Sequence, residues 1–266
     1  MYTKNDIFKQ LDKMNAPKNS VVLMHTALRL VGEVENGAEG LLDALVEYFT
    51  SEGGLLCIPT HTWDNLDKDV ITLDVKNSKS NLGAFTNVAL KDKRAVRTKN
   101  PTHSMVVFGD REKVQNFIEN EDKVLTPTAP DSCYGKLFDM GGYVLLVGVA
   151  QDKNTYLHTV DEILKTPNRM ADKPIKVTVQ DEFGTITEKD LFLFDCSFTN
   201  DISLLFPKFE TAFRYHRCIT DGFIGNAPSQ LCDARKMKQT VELIYKNSEG
   251  NDPLANSEPI APSLYC

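Results

Sequence analysis

Residues 143–149, Tyr-Val-Leu-Leu-Val-Gly-Val, form an almost unbroken apolar run. The run is short and rich in β-branched residues, with Gly141 and Gly142 before it and the polar stretch from Gln151 to Asn154 after it. It therefore reads as a strand covered on both faces. A strand of that kind needs helices on either side of its sheet, which directs the chain towards an α/β fold. Similar runs occur at 21–25 (VVLMH), 53–60 (GGLLCIPT) and 103–110 (HSMVVFGD). Between them the spacing predicts a helix over 3–14, with Thr3 as N-cap and Asp6 three residues on, and another over 38–49, with Leu41, Leu42, Leu45, Val46 and Phe49 on one face. Helices are also expected over 84–90, 111–120 and 134–140, and Thr155 is placed to cap one that carries His158 in its first turn. At 175–194 the period becomes alternating around Glu182, Phe183, Gly184 and Thr185, as in an antiparallel hairpin. Residues 227–247 read as one amphipathic helix built on Leu231, Met237, Val241 and Ile244, and the Pro-rich end, about 250–266, as a mobile tail. The expected architecture is a single α/β domain over 1–266. Its central mixed sheet is covered by helices, and an antiparallel insertion falls at about 172–195.

At 266 residues and 41% hydrophobic, the chain can bury a substantial core. The net charge of −7 is spread without an acidic tail or a basic stripe, which argues against nucleic acid and suits a cationic small molecule. Cys57, Cys133, Cys196, Cys218, Cys232 and Cys266 show no CxxC pair, and so read as reduced thiols of a cytoplasmic protein. The N-terminal residues carry charges throughout, and no run approaches the roughly 18 apolar residues of a membrane span. A soluble monomer or homodimer with no membrane partner is expected.

The chain lacks GxGxxG after a strand, GxxxxGK[ST], GxSxG and HExxH, which removes the simplest dinucleotide, nucleoside triphosphate, serine-hydrolase and zinc-protease readings. What remains is a series of short polar segments beside apolar runs. They are HTALRLVG (25–32), PTHTW (59–63), NPTHS (100–104), SCYGKL (132–137), NTYLHTVDE (154–162) and GNAPSQLCDAR (225–235). Polar clusters at the carboxyl ends of covered strands are where open α/β sheets place ligands. His158 stands out among them, because Asp161 and Glu162, three and four residues on, share its helix face. An imidazole titrating near pH 6–7 can take a proton from an amine, and a neighbouring carboxylate would orient it. The plainer alternatives are capping or core histidines and a core Trp63. A zinc site on His25, His61, His103 and His158 is also conceivable, although no pair has ligand spacing.

In their order and separation these segments resemble the aminoglycoside 3-N-acetyltransferase family, which is distinct from the GNAT acetyltransferases; the resemblance covers about 21–244. It implies acetyl-CoA as co-substrate, no metal, and acylation of the 3-amino group of a 2-deoxystreptamine antibiotic by direct attack of the amine on the thioester. The histidine of the Asn-Thr-x-x-His element, His158, would be the general base. Where the family commonly has His-x-x-Glu, this chain has Asp161 followed by Glu162, and either carboxylate could orient the ring. On the same resemblance, His25, Thr26, Ala27, Leu28, Arg29, Thr102, His103, Ser104 and Tyr134 are expected to receive the coenzyme. His61, Trp63, Asp64 and Asp67 are expected to face a cationic amine acceptor, either an aminoglycoside or a non-antibiotic amine.

Overall fold

The computed structural model describes residues 1–68, 70–195 and 201–266. Helix α1 (Lys4–Lys13) leads into β1 (Val21–Thr26), the short α2 (Leu28–Val31), α3 (Gly37–Thr50) and β2 (Leu55–Pro59). Next come β3 (Leu73–Asp74), α4 (Ala84–Ala89), β4 (Val96–Arg97), β5 (Met105–Phe108), α5 (Arg111–Ile118) and α6 (Cys133–Met140). Strand β6 (Tyr143–Val147) and α7 (Tyr156–Ile163) precede the hairpin β7 (Ile175–Gln180) and β8 (Ile186–Leu191). Helix α8 (Glu210–Tyr215), β9 (Ile219–Ile224), β10 (Ala227–Asp233) and α9 (Ala234–Asn247) complete the order. Local chemistry fixes many helix starts. Thr3 and Asp6 form a reciprocal capping box on α1, while Asp110, Ser132 and Asp233 accept from backbone N–H groups at the starts of α5, α6 and α9.

Seven strands form a mixed sheet in the order β4-β5-β2-β1-β6-β10-β9. Strand β1 runs parallel to both β2 and β6, and the outer pairs are antiparallel. The pleat sorts alternate side chains onto opposite faces. Val21, Leu23, Val144 and Leu146 pack with α6, α7 and α9, whereas Val22, Met24, Leu56 and Leu145 pack with α1 and α3. The expected mixed, covered sheet is thus present, and the hairpin β7–β8 joins β3 in a separate three-stranded sheet.

Two expectations are corrected. Residues 227–233 are not helical: they form β10, which pairs with β6 and β9, and the helix starts only at Ala234. Nor is 250–266 a loose tail, because Leu254, Ile260 and Tyr265 are buried in the core beneath α9 and the Tyr265 carbonyl is bonded to His216 Nε2 at 2.7 Å. Each such burial is worth roughly 1.5–3 kcal/mol. Deleting residues 250–266 should therefore cost on the order of 5 kcal/mol, read as a large drop in the denaturation midpoint; an unchanged midpoint would contradict this packing. Cys57, Cys133, Cys218, Cys232 and Cys266 are free thiols, and Cys196 lies outside the described residues. Among the described residues no helix is long and apolar enough to cross a membrane.

Candidate active site

Parallel pairing brings the carboxyl ends of β2, β1 and β6 together. Each of the three then delivers a histidine: His61 just beyond β2, His25 within the last turn of the β1 ladder, and His158 in the first turn of α7 after β6. Because β5 runs antiparallel to β2, with Pro59 opposite Met105, the loop before β5 returns His103 to the same end. All four histidines line one cavity of about 620 Å³. Trp63, Leu66, Leu82, Pro127, Leu193 and Phe194 make its apolar wall, and Asp152, Asp195 and Asp201 supply carboxylates.

The imidazoles are packed tightly. His61 and His103 lie 4.2 Å apart between ring centroids, and the Phe194 ring stacks on His158 at 4.1 Å while meeting His103 edge-on at 5.4 Å. The Phe206 ring meets His158 edge-on at 4.9 Å. Burial among these rings penalises the imidazolium form. It pulls His25 and His158 down to about 4 and His103 to about 3, and His61 falls well below the ordinary value through burial and the neighbouring His103, His25 and His158. The Asp201 charge opposes the shift at His158 and Arg169 adds to it. The cavity therefore presents neutral imidazoles at physiological pH, and the expected titration near 6–7 is displaced downward by burial.

Neither carboxylate expected beside His158 is bonded to it. Asp161 accepts from Arg169 Nε at 3.1 Å, and Arg169 in turn binds Asp252 at 2.9 Å and the Tyr245 hydroxyl at 3.0 Å. Glu162 accepts from Thr126 Oγ1 at 2.5 Å and Thr128 Oγ1 at 2.6 Å. The reason is energetic: a carboxylate buried as deeply as Asp161 must find a cation, and Arg169 supplies one. Burial raises the Asp161 carboxyl to about 6 and the guanidinium opposes that rise, so it stays ionised at neutral pH.

The expected coenzyme residues divide. His25, Thr102 and His103 line the cavity. Thr26 Oγ1 is buried without a partner among the described residues. The Ala27 backbone N–H donates to the Val147 carbonyl at 2.8 Å and is not available to a ligand. Leu28 and Arg29 border a separate depression with Glu33 and Val34. Ser104 is fully buried, donating to the Thr60 carbonyl at 2.9 Å and accepting from Arg97 Nε at 3.2 Å, and so braces two strands. Tyr134 is likewise enclosed beneath the histidines, with its hydroxyl 2.8 Å from His61 Nε2 and 3.1 Å from the His103 carbonyl. On the acceptor side His61 and Trp63 line the cavity, whereas Asp67 borders a neighbouring cleft and Asp64 lies along neither. Thr155 lines the cavity too but makes no side-chain cap bond to α7. Sequence reasoning missed Phe194, Phe206, Leu82 and Asp201. Phe194 closes the segment read as alternating, 175–194, but nothing in the sequence distinguished Asp201. Among the described residues no three His, Cys, Asp or Glu side chains are grouped so as to hold a metal ion.

The four imidazoles thus stand at the carboxyl end of a covered α/β sheet and face the apolar wall of one cavity. The family model described as aminoglycoside 3-N-acetyltransferase matches residues 23–245, and the chain belongs to that family. Aminoglycoside N(3)-acetyltransferase IV of Salmonella is 26% identical over 166 residues, which cover 62% of this chain and 61% of that relative's length. Two solved structures share the fold. A binary complex of AAC-IIIb with CoASH has a TM-score of 0.75 at 23% identity, covering 89% of this chain and 93% of that one. A variant of aminoglycoside acetyltransferase AAC(3)-IVa in complex with a gentamicin has a TM-score of 0.77 at 22% identity, covering 97% and 95%.

Proposed function

We propose that the protein transfers the acetyl group of acetyl-CoA to an amine of an aminoglycoside, with His158 as the general base. One observation carries this reading: in a member of this family, His158 stands neutral on the wall of a large cavity at the carboxyl ends of the parallel strands. A neutral imidazole can accept the proton that an attacking amine must lose. Asp201, rather than Asp161 or Glu162, is the carboxylate whose charge favours the imidazolium formed in that step. The cavity also offers polar atoms that a ligand would complete. His25 Nε2 and Asn154 Oδ1 are buried without partners among the described residues, and both residues line the wall. Orphaned groups of that kind suit the amides of a pantetheine arm.

A second reading, acetylation of a less highly charged, non-antibiotic amine, is favoured by the apolar wall of Trp63, Leu66, Leu82 and Leu193 and by the placement of Asp64 away from the cavity. A panel of amines assayed by release of the coenzyme thiol separates the two readings. Polycationic acceptors that bind less tightly as salt rises favour the first, and turnover confined to monoamines favours the second. Thiol release with neither group of amines would remove both.

The pH dependence follows from burial. His158 is active as a base only when unprotonated, and its folded value is about 4, so activity is retained above that value and lost as pH falls through it. Unfolded histidine takes up a proton already near 6.5. Stability contributed by neutral His25, His103 and His158 therefore declines as pH drops from about 6.5 towards 4, since the unfolded state binds more protons in that window. Turnover measured alongside circular dichroism should show no acid limb between about pH 5.5 and 8 that lacks a matching structural change, the lower limit lying roughly 1.5 units above the folded His158 value. A limb near 6.5 in fully folded protein that does not move with the acceptor amine's own titration would contradict the downward shift at His158.

A further inference from the structure

We infer that His103 is the oxyanion donor of the reaction, presenting the Nε2–H of a neutral imidazole to the thioester oxygen; this role rests on the acetyl-transfer reading above. Attack on a thioester moves a pair of electrons onto the carbonyl oxygen, and catalysis needs a preorganised donor there. The Ala27 backbone N–H, in the loop after β1, is already bonded to Val147. A side chain on the cavity wall is then the donor to look for.

Hydrogen accounting separates the imidazoles. The Tyr134 hydroxyl has one hydrogen, and the His103 carbonyl at 3.1 Å can only accept it. His61 Nε2, 2.8 Å from the same hydroxyl oxygen, must therefore be the donor in that contact, which uses the one N–H of a neutral ring. His158 has to present a bare nitrogen to act as base. At His103, Nδ1 lies 3.0 Å from Thr102 Oγ1, and among the described residues that hydroxyl has no other acceptor. We take its hydrogen to be donated to Nδ1, which places the ring's own hydrogen on Nε2. His103 Nε2 has no partner among the described residues, and the residue lines the cavity. Burial keeps the ring neutral, which suits a donor that must not lose its proton to the substrate.

The ring is also held in place. Its backbone N–H donates to Asn100 Oδ1 at 3.0 Å, Asn100 Nδ2 donates to Glu121 Oε1 at 3.1 Å, and Glu121 Oε2 accepts from Cys133 N at 2.6 Å, which ties the loop to α6. His103 and His158 both touch the Phe194 ring, so base and donor flank one region of the cavity. In the reaction the amine nitrogen forms the C–N bond while the carbonyl π pair moves onto oxygen, where His103 Nε2–H donates to it. His158 takes a proton from the attacking nitrogen. The carbonyl then reforms, the C–S bond breaks with its electron pair on sulfur, and the proton on His158 passes to the departing thiolate.

The test combines NMR of the imidazole nitrogens with kinetics on full-length protein. Wild type should show His103 as the Nε2–H tautomer. Thr102→Val, which removes the hydroxyl hydrogen while keeping the shape, should shift it towards a mixture and lower kcat by about tenfold. His103→Ala should lower kcat roughly 10²- to 10³-fold with the KM for acetyl-CoA nearly unchanged. An Nδ1–H tautomer in wild type, or a His103→Ala enzyme altered only in its KM for acetyl-CoA, overturns the assignment. If His103→Ala fails to fold, the tautomer and the Thr102→Val kinetics decide on their own. Absence of acetyl transfer by wild type to any amine overturns the function itself, and is distinguishable from wild-type turnover that survives loss of the His103 ring.

Discussion

His158→Ala is expected to lower acetyl transfer by at least about 10²-fold, and up to about 10⁴-fold, the usual range for loss of a general base. The prediction rests on position: His158 is the imidazole that α7 carries to the carboxyl end of β6, enclosed by Phe194 and Phe206 and lying in the field of Asp201. Alanine leaves the backbone of α7 and the remaining cavity wall intact. Stabilisation by coenzyme A in a thermal-shift assay should therefore persist, with about 2.7 kcal/mol at a ligand concentration 100 times the dissociation constant. Glu162→Gln should be mild by comparison, because its oxygens are already bonded to Thr126 and Thr128. Near-normal turnover in His158→Ala would make the residue structural and move the search for the base to the neighbouring imidazoles.

The second large effect concerns stability. Arg169 is buried against Asp161 and Asp252 and also reaches Tyr245, so one guanidinium ties α7 to α9 and to the C-terminal segment. Arg169→Met leaves the Asp161 carboxylate buried and unpaired, a loss of about 3–5 kcal/mol. Adding Asp161→Asn to Arg169→Met should recover much of it, because the uncompensated charge is then gone. Denaturation midpoints of the two single variants and the double variant measure this coupling. If the single variants are as stable as wild type, the pair does not hold these elements together.

Much of the fold was legible because covered strands leave an unambiguous mark. The apolar runs at 21–25, 53–60, 103–110 and 143–149 correspond to β1, β2, β5 and β6, and the carboxyl-end position of His158 follows from the last of them. Strand β10 was hidden by its own neighbours. In Ala-Pro-Ser-Gln-Leu-Cys-Asp only Leu231 and Cys232 are adjacent large apolar residues, and the helix that follows begins immediately after Asp233, so the two elements read as one period. The C-terminal segment was misjudged because its buried residues, Leu254, Ile260 and Tyr265, follow no helical or strand period; they fill gaps beneath α9 rather than one face of an element. The two carboxylates expected beside His158 are bonded elsewhere for a different reason. Helical spacing allows Asp161 to approach His158 but does not require it. The cation that captures Asp161 lies eight residues on, beyond the helix, and its other partners, Tyr245 and Asp252, lie 76 and 83 residues further along. Asp201 approaches the site through tertiary packing alone, with no local pattern to announce it.

The central claim, that this protein acetylates an amine through His158, is tested most directly by mass spectrometry of an aminoglycoside incubated with acetyl-CoA and either wild type or His158→Ala. The expected result is one added acetyl group on an amine with wild type, matched by an equal amount of free coenzyme thiol, and almost none with the variant over the same time. Thiol released without an acetylated amine, or equal acetylation by both proteins, would contradict it.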